Sequence, residues 1–242
     1  MTRADGPLVG RTALVTGASR GIGAATARRL ALSGARVALL ARSEDALTAL
    51  AREIGGDAVV ITCDVRRPDA AAMAQVALAA LGVEAPDILV NNAGVFFVTP
   101  AHETSTEAFR DTVEINLTAP FGFVRAFLPA MRRRASGHVV TVGSIADRTA
   151  YPGNAAYAAS KFGLRALHEV IRAELKGTGV RASLVSPGPV DTPLWDAVDS
   201  AQREGHTPRS EMLSAAAVAD AVHYAVSTPA AVNIDELRLS RS

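Results

Sequence analysis

Thr12-Ala13-Leu14-Val15-Thr16-Gly17-Ala18-Ser19-Arg20-Gly21-Ile22-Gly23 is the stretch that decides the fold. It opens as a short apolar run without polar alternation, which is how a strand buried on both faces reads. It closes in glycines that feed a helix-like segment, residues 23–32. A strand, a glycine turn and a helix in that order build an anion site. Gly17 suits the tight turn, while Gly21 and Gly23 let backbone and helix approach a pyrophosphate. The helix N-terminus then offers free N–H groups and the positive end of its dipole. Ser19, Arg20 and Ile22 belong to the same turn.

Outward from this stretch, short apolar runs alternate with helical patterns. Strands are predicted at Thr12–Thr16, Arg36–Ala41, 58–62, Ile88–Asn91, 138–142 and 181–185, with a last one near Leu237. Helices are predicted at Glu44–Ile54, 70–81 and Ala155–Leu175. Runs such as Val37-Ala38-Leu39-Leu40 have no polar face, so helices are expected on both sides of a mostly parallel sheet. The expectation is a doubly wound α/β fold of about seven strands in one domain. The polar stretch 193–211, with Gly205 and Pro208, breaks the rhythm and reads as a mobile insertion.

Composition narrows the function classes. The chain has 242 residues, 49% of them hydrophobic, enough for a sizeable core. A net charge of +1 gives no general attraction to nucleic acid or to an anionic membrane. Cys63, the single cysteine, excludes an internal disulfide and reads as a small buried hydrophobe. No signal-like stretch or long apolar run is present, so a soluble, cytoplasmic protein is expected. His102, His138, His168, His206 and His223 have no metal-ligand spacing, and no metal is expected.

The turn matches T-G-x-x-x-G-x-G rather than the commoner G-x-G-x-x-G. The match continues in order through Asp64-Val65, Asn91-Asn92-Ala93-Gly94, Asn116, Ser144, Tyr157 with Lys161, and Pro187-Gly188. In these motifs, which run past Thr192, the sequence resembles the short-chain dehydrogenase/reductase family. The resemblance implies a nicotinamide cofactor. Asp64 and Val65 would lie against the adenine, Asn91, Ala93 and Gly94 would line the nucleotide cleft, and Pro187, Gly188, Val190 and Thr192 would approach the nicotinamide.

Cofactor choice is expected at the end of the second strand, where an acid would bond a ribose 2′-hydroxyl. Ala41 stands there instead, followed by Arg42 and Ser43. Arg42, with Arg20 from the neighbouring turn, offers planar donors to a 2′-phosphate, which favours NADP(H).

Tyr157 and Lys161 lie four positions apart and share one face of the long helix. A lysine beside a tyrosine is expected to depress a phenol pKa that is ordinarily near 10, making Tyr157 a usable proton carrier. Ser144 follows a strand at the sheet's C-terminal edge, where it can share the substrate oxygen with Tyr157. By resemblance, Asn116 completes the set by holding a water linked to Lys161. The implied activity is hydride transfer between NADP(H) and a small carbonyl or alcohol.

The pocket walls are expected from Phe96, Ile145, Tyr151, Val190, Leu194 and Trp195, with Ser144 and Tyr157 at the substrate oxygen. Asp147 stands where the family often has a small residue, and Arg148 is the candidate anchor for a substrate carboxylate. The C-terminal segment lacks the frequent Gly-Gly and resembles the branch of 3-hydroxy acid and serine dehydrogenases and broad-range carbonyl reductases. That branch makes small hydroxy acids or β-keto compounds plausible substrates. The resemblance implies a homo-oligomer, a tetramer or else a dimer, joined through the Tyr157 helix and a neighbouring helix over 106–133. Two other readings are a 3-oxoacyl-carrier reductase docking at Arg132-Arg133-Arg134, and a non-catalytic NADP-binding redox sensor. A sensor would be expected to have lost one of Ser144, Tyr157 or Lys161, and all three are present.

Overall fold

A computed structural model describes residues 6–55, 57–196, 198 and 207–242. Along the chain lie β1 (Thr12–Thr16), α1 (Gly21–Leu32), β2 (Arg36–Ala41), α2 (Glu44–Ile54), β3 (Val59–Thr62), α3 (Ala70–Ala79) and β4 (Ile88–Asn91). Then come α4 (Thr106–Val113), α5 (Ala119–Arg133), β5 (Gly137–Val142), α6 (Ala155–Leu175), β6 (Val180–Pro187) and β7 (Val190–Asp191). The last elements are β8 (Leu213–Ser214), α7 (Ala215–Ser227) and β9 (Glu236–Leu239). Seven strands form one parallel sheet in the order β3-β2-β1-β4-β5-β6-β9, and β7 and β8 pair as a separate two-stranded ladder. This is the doubly wound arrangement expected from the sequence.

Strand alternation divides the apolar residues between two cores. On β1, Ala13 and Val15 face one side and Leu14 the other; on β2, Leu39 and Leu40 divide the same way. The first core takes Leu30 of α1, Leu47 and Leu50 of α2 and Val222 of α7. The second takes Leu78 of α3, Phe123 and Phe127 of α5 and Ile171 of α6. Burying both faces removes apolar area from water twice per strand, which is why these strands carry no polar stripe.

The segment expected as one helix over 106–133 is broken. Residues Glu114–Thr118 form a π-helical turn between α4 and α5. Pro120 lies at the start of α5, with no N–H to give an α-helical bond to the carbonyl of Asn116. Helix α7 was not read from the sequence. Its run of alanines carries little amphipathic pattern, and its clearest signal is Ser214, whose hydroxyl accepts from the Ala217 N–H at 3.1 Å. Residues 197 and 199–206 of the 193–211 insertion, with His206, lie outside the described residues. The described flanks are held together by β7 and β8 and by Arg209, which donates to Asp191, Asp196 and the Thr192 carbonyl at 2.7 Å each.

Candidate active site

At the C-terminal ends of β1, β2, β4, β5 and β6 lies a cleft of about 1310 Å³. Its floor near β1 is the glycine turn. Gly17 adopts φ 67° and Gly21 φ 56°. A Cβ at Gly17 would stand 2.8 Å from Ala93 Cα, and one at Gly23 only 2.2 Å from the Gly17 carbonyl oxygen. The Asn92 amide donates to the Thr16 carbonyl at 2.8 Å, and Thr16 Oγ1 accepts from the N–H groups of Asn92 and Ala93 at 3.0 Å each. These bonds fasten the end of β4 to the turn. At Arg20, which precedes α1, no side chain caps the helix, so the first N–H groups remain available to an anion.

Most residues named from the sequence for the cofactor meet in this cleft. Ser19, Arg20 and Ile22 line it with Gly17 and Gly21, and Arg42 and Ser43 enter from the end of β2. Asp64 and Val65 line the cleft past the end of β3, and Ala93, Gly94, Pro187, Gly188, Val190 and Thr192 line the rest. Gly23 lies behind the turn. Asn91 is a correction: it is 3% exposed, its amide reaches toward the Pro120 carbonyl, and it does not line the cleft. Its neighbour Asn92 does, because successive residues at the strand end point to opposite faces. The Asn-Asn-Ala-Gly motif contained that signal.

Asp64 pairs with Arg66 at 2.8 Å, and this bond, with a smaller contribution from Arg42, holds its carboxyl below the ordinary range. Arg66 also reaches Asp111 at 3.1 Å. Sequence reasoning missed Arg66, since an arginine two residues past an aspartate carries no motif. Cys63 is buried at the cleft floor, and burial pushes its thiol up, in keeping with an inert apolar role.

At the other end, Tyr157 and Lys161 project from α6 toward Ser144, which follows β5. Ser144 Oγ caps the short turn Ile145–Asp147 by accepting from Ala146 N–H at 3.1 Å, and it also hydrogen-bonds Tyr157. Lys161 is 5% exposed, donates to the Val142 carbonyl at 3.0 Å and stands 5.7 Å from the centre of the Tyr157 ring. Burial pulls its pKa down to about 8. For Tyr157, burial raises the phenol pKa, the Ser144 bond lowers it, and the charge of Asp147 raises it further. The expected depression by Lys161 is therefore not what the chain's own groups produce. The ammonium is tied to the Val142 carbonyl over the ring, and desolvation dominates.

Asn116 is completely buried in the π-helical turn. Its Oδ1 accepts from Val95 N–H at 2.9 Å, and its amide donates to the Val95 carbonyl and Ser160 Oγ at 3.0 Å each. It reaches the residue beside Lys161 rather than Lys161, and braces the 94–95 segment against α6.

Phe96, Ile145, Tyr151, Val190, Leu194 and Trp195 all line the cleft. The Phe96 ring lies 4.9 Å from both Tyr157 and Trp195, edge to face, making an aromatic strip of Tyr157, Phe96 and Trp195. Arg148 does not line the cleft. Its guanidinium pairs with Asp147 at 2.7 Å and with Glu236, so it is no anchor for a substrate carboxylate. The Arg132-Arg133-Arg134 cluster leads into the N-terminal end of β5, away from the cleft. There Arg133 pairs with Glu84, and Arg134 donates to the carbonyls of Ala85 and Pro86 at 2.8 and 2.7 Å. Among the described residues, no group of three His, Cys, Asp or Glu side chains could hold a metal, and no helix is long and apolar enough to cross a membrane.

The short chain dehydrogenase family profile matches residues 11–203. A solved metagenomic short-chain oxidoreductase in complex with NADP is 38% identical, with a TM-score of 0.83 over 98% of this chain and 99% of that one. The closed form of a serine dehydrogenase complexed with NADP+ is 32% identical, with a TM-score of 0.85 over 94% of each chain. Glycine betaine reductase of Emericella nidulans is 37% identical over 237 residues, which is 96% of this chain but 19% of that much longer protein.

Proposed function

From the premise that the chain belongs to the short-chain dehydrogenases and is an oxidoreductase of that family, we propose that it uses NADP(H) to interconvert a neutral carbonyl compound and its secondary alcohol, with Tyr157 carrying the proton. The observation that bears this reading is the meeting of Ser144, Tyr157 and Lys161 in one cleft with the glycine turn. The residues present fit the cofactor: the turn admits no Cβ at Gly17 or Gly23, the α1 N-terminus keeps N–H donors for the pyrophosphate, and Arg20 and Arg42, both lining the cleft, offer cations to a 2′-phosphate. NADP in the two solved relatives supports the same assignment.

When bound, the reduced nicotinamide supplies a hydride to the carbonyl carbon. As the C=O π electrons move to oxygen, Ser144 Oγ donates a hydrogen bond to it and Tyr157 Oη releases its proton there, forming the O–H of the alcohol. Tyr157 is left as phenolate beside Lys161 and is reprotonated from solvent. Oxidation runs these steps backwards. Asn116 keeps α6 and the 94–95 segment in register.

The aromatic strip supports a substrate with an apolar or aryl substituent. Among the described lining residues the cations are Arg20, Arg42 and Lys161; Lys161 lies at the Tyr157 end, held by the Val142 carbonyl, and neither arginine contacts Phe96 or Trp195, which weighs against a carboxylate substrate. Placement of the arginine cluster at the far end of the sheet weighs against an acidic carrier. Phe109, Phe121 and Phe162 stand exposed on α4, α5 and α6, which supports self-association through these helices; a homotetramer located in the cytoplasm is part of the proposal and rests on the family resemblance. The test is NADPH oxidation with aryl ketones, alicyclic ketones, β-keto acids, a serine-type hydroxy acid in reverse and a carrier-bound 3-oxoacyl thioester. Turnover of ketones, abolished in Tyr157→Phe with NADPH binding retained, is the expected result. Wild-type rates in Tyr157→Phe overturn the mechanism, and preference for an acid overturns the substrate class.

A further inference from the structure

We propose that Asp147 is a positioning residue whose buried carboxylate keeps Lys161 an ammonium and Tyr157 a neutral phenol, setting the pH range in which Tyr157 donates its proton. The inference rests on the Tyr157 chemistry proposed above. Asp147 is 1% exposed. Its Oδ2 accepts from Ser186 Oγ on β6 at 2.6 Å and its Oδ1 from Arg148 Nε at 2.7 Å, while Arg148 extends to Glu236 on β9. One guanidinium between two carboxylates leaves a net charge of −1 in this chain of side chains.

That charge packs against the backbone at Gly143, between the two segments that hold the reacting groups. A Cβ at Gly143 would meet Ser186 Oγ at 2.7 Å and Asp147 Oδ2 at 3.0 Å, and residue 143 sits between Val142, whose carbonyl holds Lys161, and Ser144, which bonds Tyr157. Asp147 N–H also donates to the Ser144 carbonyl at 3.0 Å, so the carboxylate is covalently one short turn from the catalytic hydroxyl. A carboxylate removed from water is costly unless matched, and the next buried cation is Lys161. Among described residues, the groups around this charge are Tyr157 and Lys161 from α6, Ser186 from β6, Glu236 from β9 and Arg148 from its own loop. Further along α6, His168 is held neutral on Thr141. The field of Asp147 raises the proton affinity of both Tyr157 and Lys161.

Asp147→Asn keeps the shape and an acceptor for Ser186 while removing the charge. Two measurements apply: the pH dependence of kcat/KM in both directions, and the ultraviolet tyrosinate titration of the cofactor-free protein, taken as the difference from the matching Tyr157→Phe variant. The expected result is that the limb rising with pH in oxidation and the limb falling with pH in reduction both move down by about one unit, together with the Tyr157 titration. Glu236→Gln, on the sheet edge, is the second variant, and its limbs move the same way by a smaller amount; it carries the test if Asp147→Asn fails to fold. Superimposable profiles and titrations in the folded variants overturn the proposal. If the wild type reduces no carbonyl, the proposed function fails, while the tyrosinate titration still decides the charge effect.

Discussion

The side-chain amide of Asn92 donates to the backbone carbonyl of Thr16 at 2.8 Å, joining strand ends 76 residues apart, and Thr16 Oγ1 returns the contact by accepting from two N–H groups. The nucleotide turn is thus a product of two strands. Thr16→Val keeps the shape but leaves those two N–H groups without their acceptor. Urea unfolding is expected to show a loss of about 1–3 kcal/mol.

Gly23→Ala places a methyl 2.2 Å from the Gly17 carbonyl oxygen and 2.5 Å from the Asn92 amide nitrogen. The turn must open to admit it. A rise of at least about tenfold in Kd for NADPH, measured by fluorescence titration, is the expected outcome; an unchanged Kd counts against the turn as the pyrophosphate cradle.

Arg42→Ala separates the two nicotinamide cofactors. Losing a charged hydrogen bond to a 2′-phosphate costs about 1.5–3 kcal/mol, so the kcat/KM ratio of NADPH to NADH should fall by about ten- to a hundredfold, with NADH use little altered. A ratio that does not move assigns the phosphate elsewhere.

Acid lability is expected from two histidines on opposite faces of the sheet. His138 bonds Ser183 at 2.8 Å and His168 bonds Thr141 at 3.0 Å, and burial pulls their pKa values to about 3 and about 4. The unfolded chain takes up protons below about pH 6.5 while the folded chain does not. Stability is therefore full above that pH and declines as pH falls toward 4, by up to about 1.4 kcal/mol per unit for each histidine. In urea titrations at pH 7 and pH 5, His138→Gln with His168→Asn should narrow the difference, since neither replacement titrates.

Trp195→Ala shortens the aromatic strip against Phe96. Catalytic efficiency toward an aryl ketone should fall by about tenfold or more, expressed mainly in KM, while the smallest ketone accepted is little affected. Equal losses on both substrates would place Trp195 in the structure of the cleft rather than in substrate choice.

The local patterns around Thr12–Gly23 specified much of this protein by themselves. Apolar runs without alternation, interleaved with helical spacing, yield a covered parallel sheet, and the ordered Ser144, Tyr157 and Lys161 carry the family resemblance, because turn and helix spacings are local. Tertiary structure decided what depends on which charges and carbonyls meet across the sheet. It removed Asn91 from the cleft in favour of Asn92, broke the 106–133 helix at a π-helical turn, and took Arg148 away from the substrate by pairing it with Asp147 and Glu236. It also reversed the expected shift at Tyr157. Spacing along a helix brings a lysine near a phenol, but only the packing around both decides whether attraction or desolvation sets the proton's affinity.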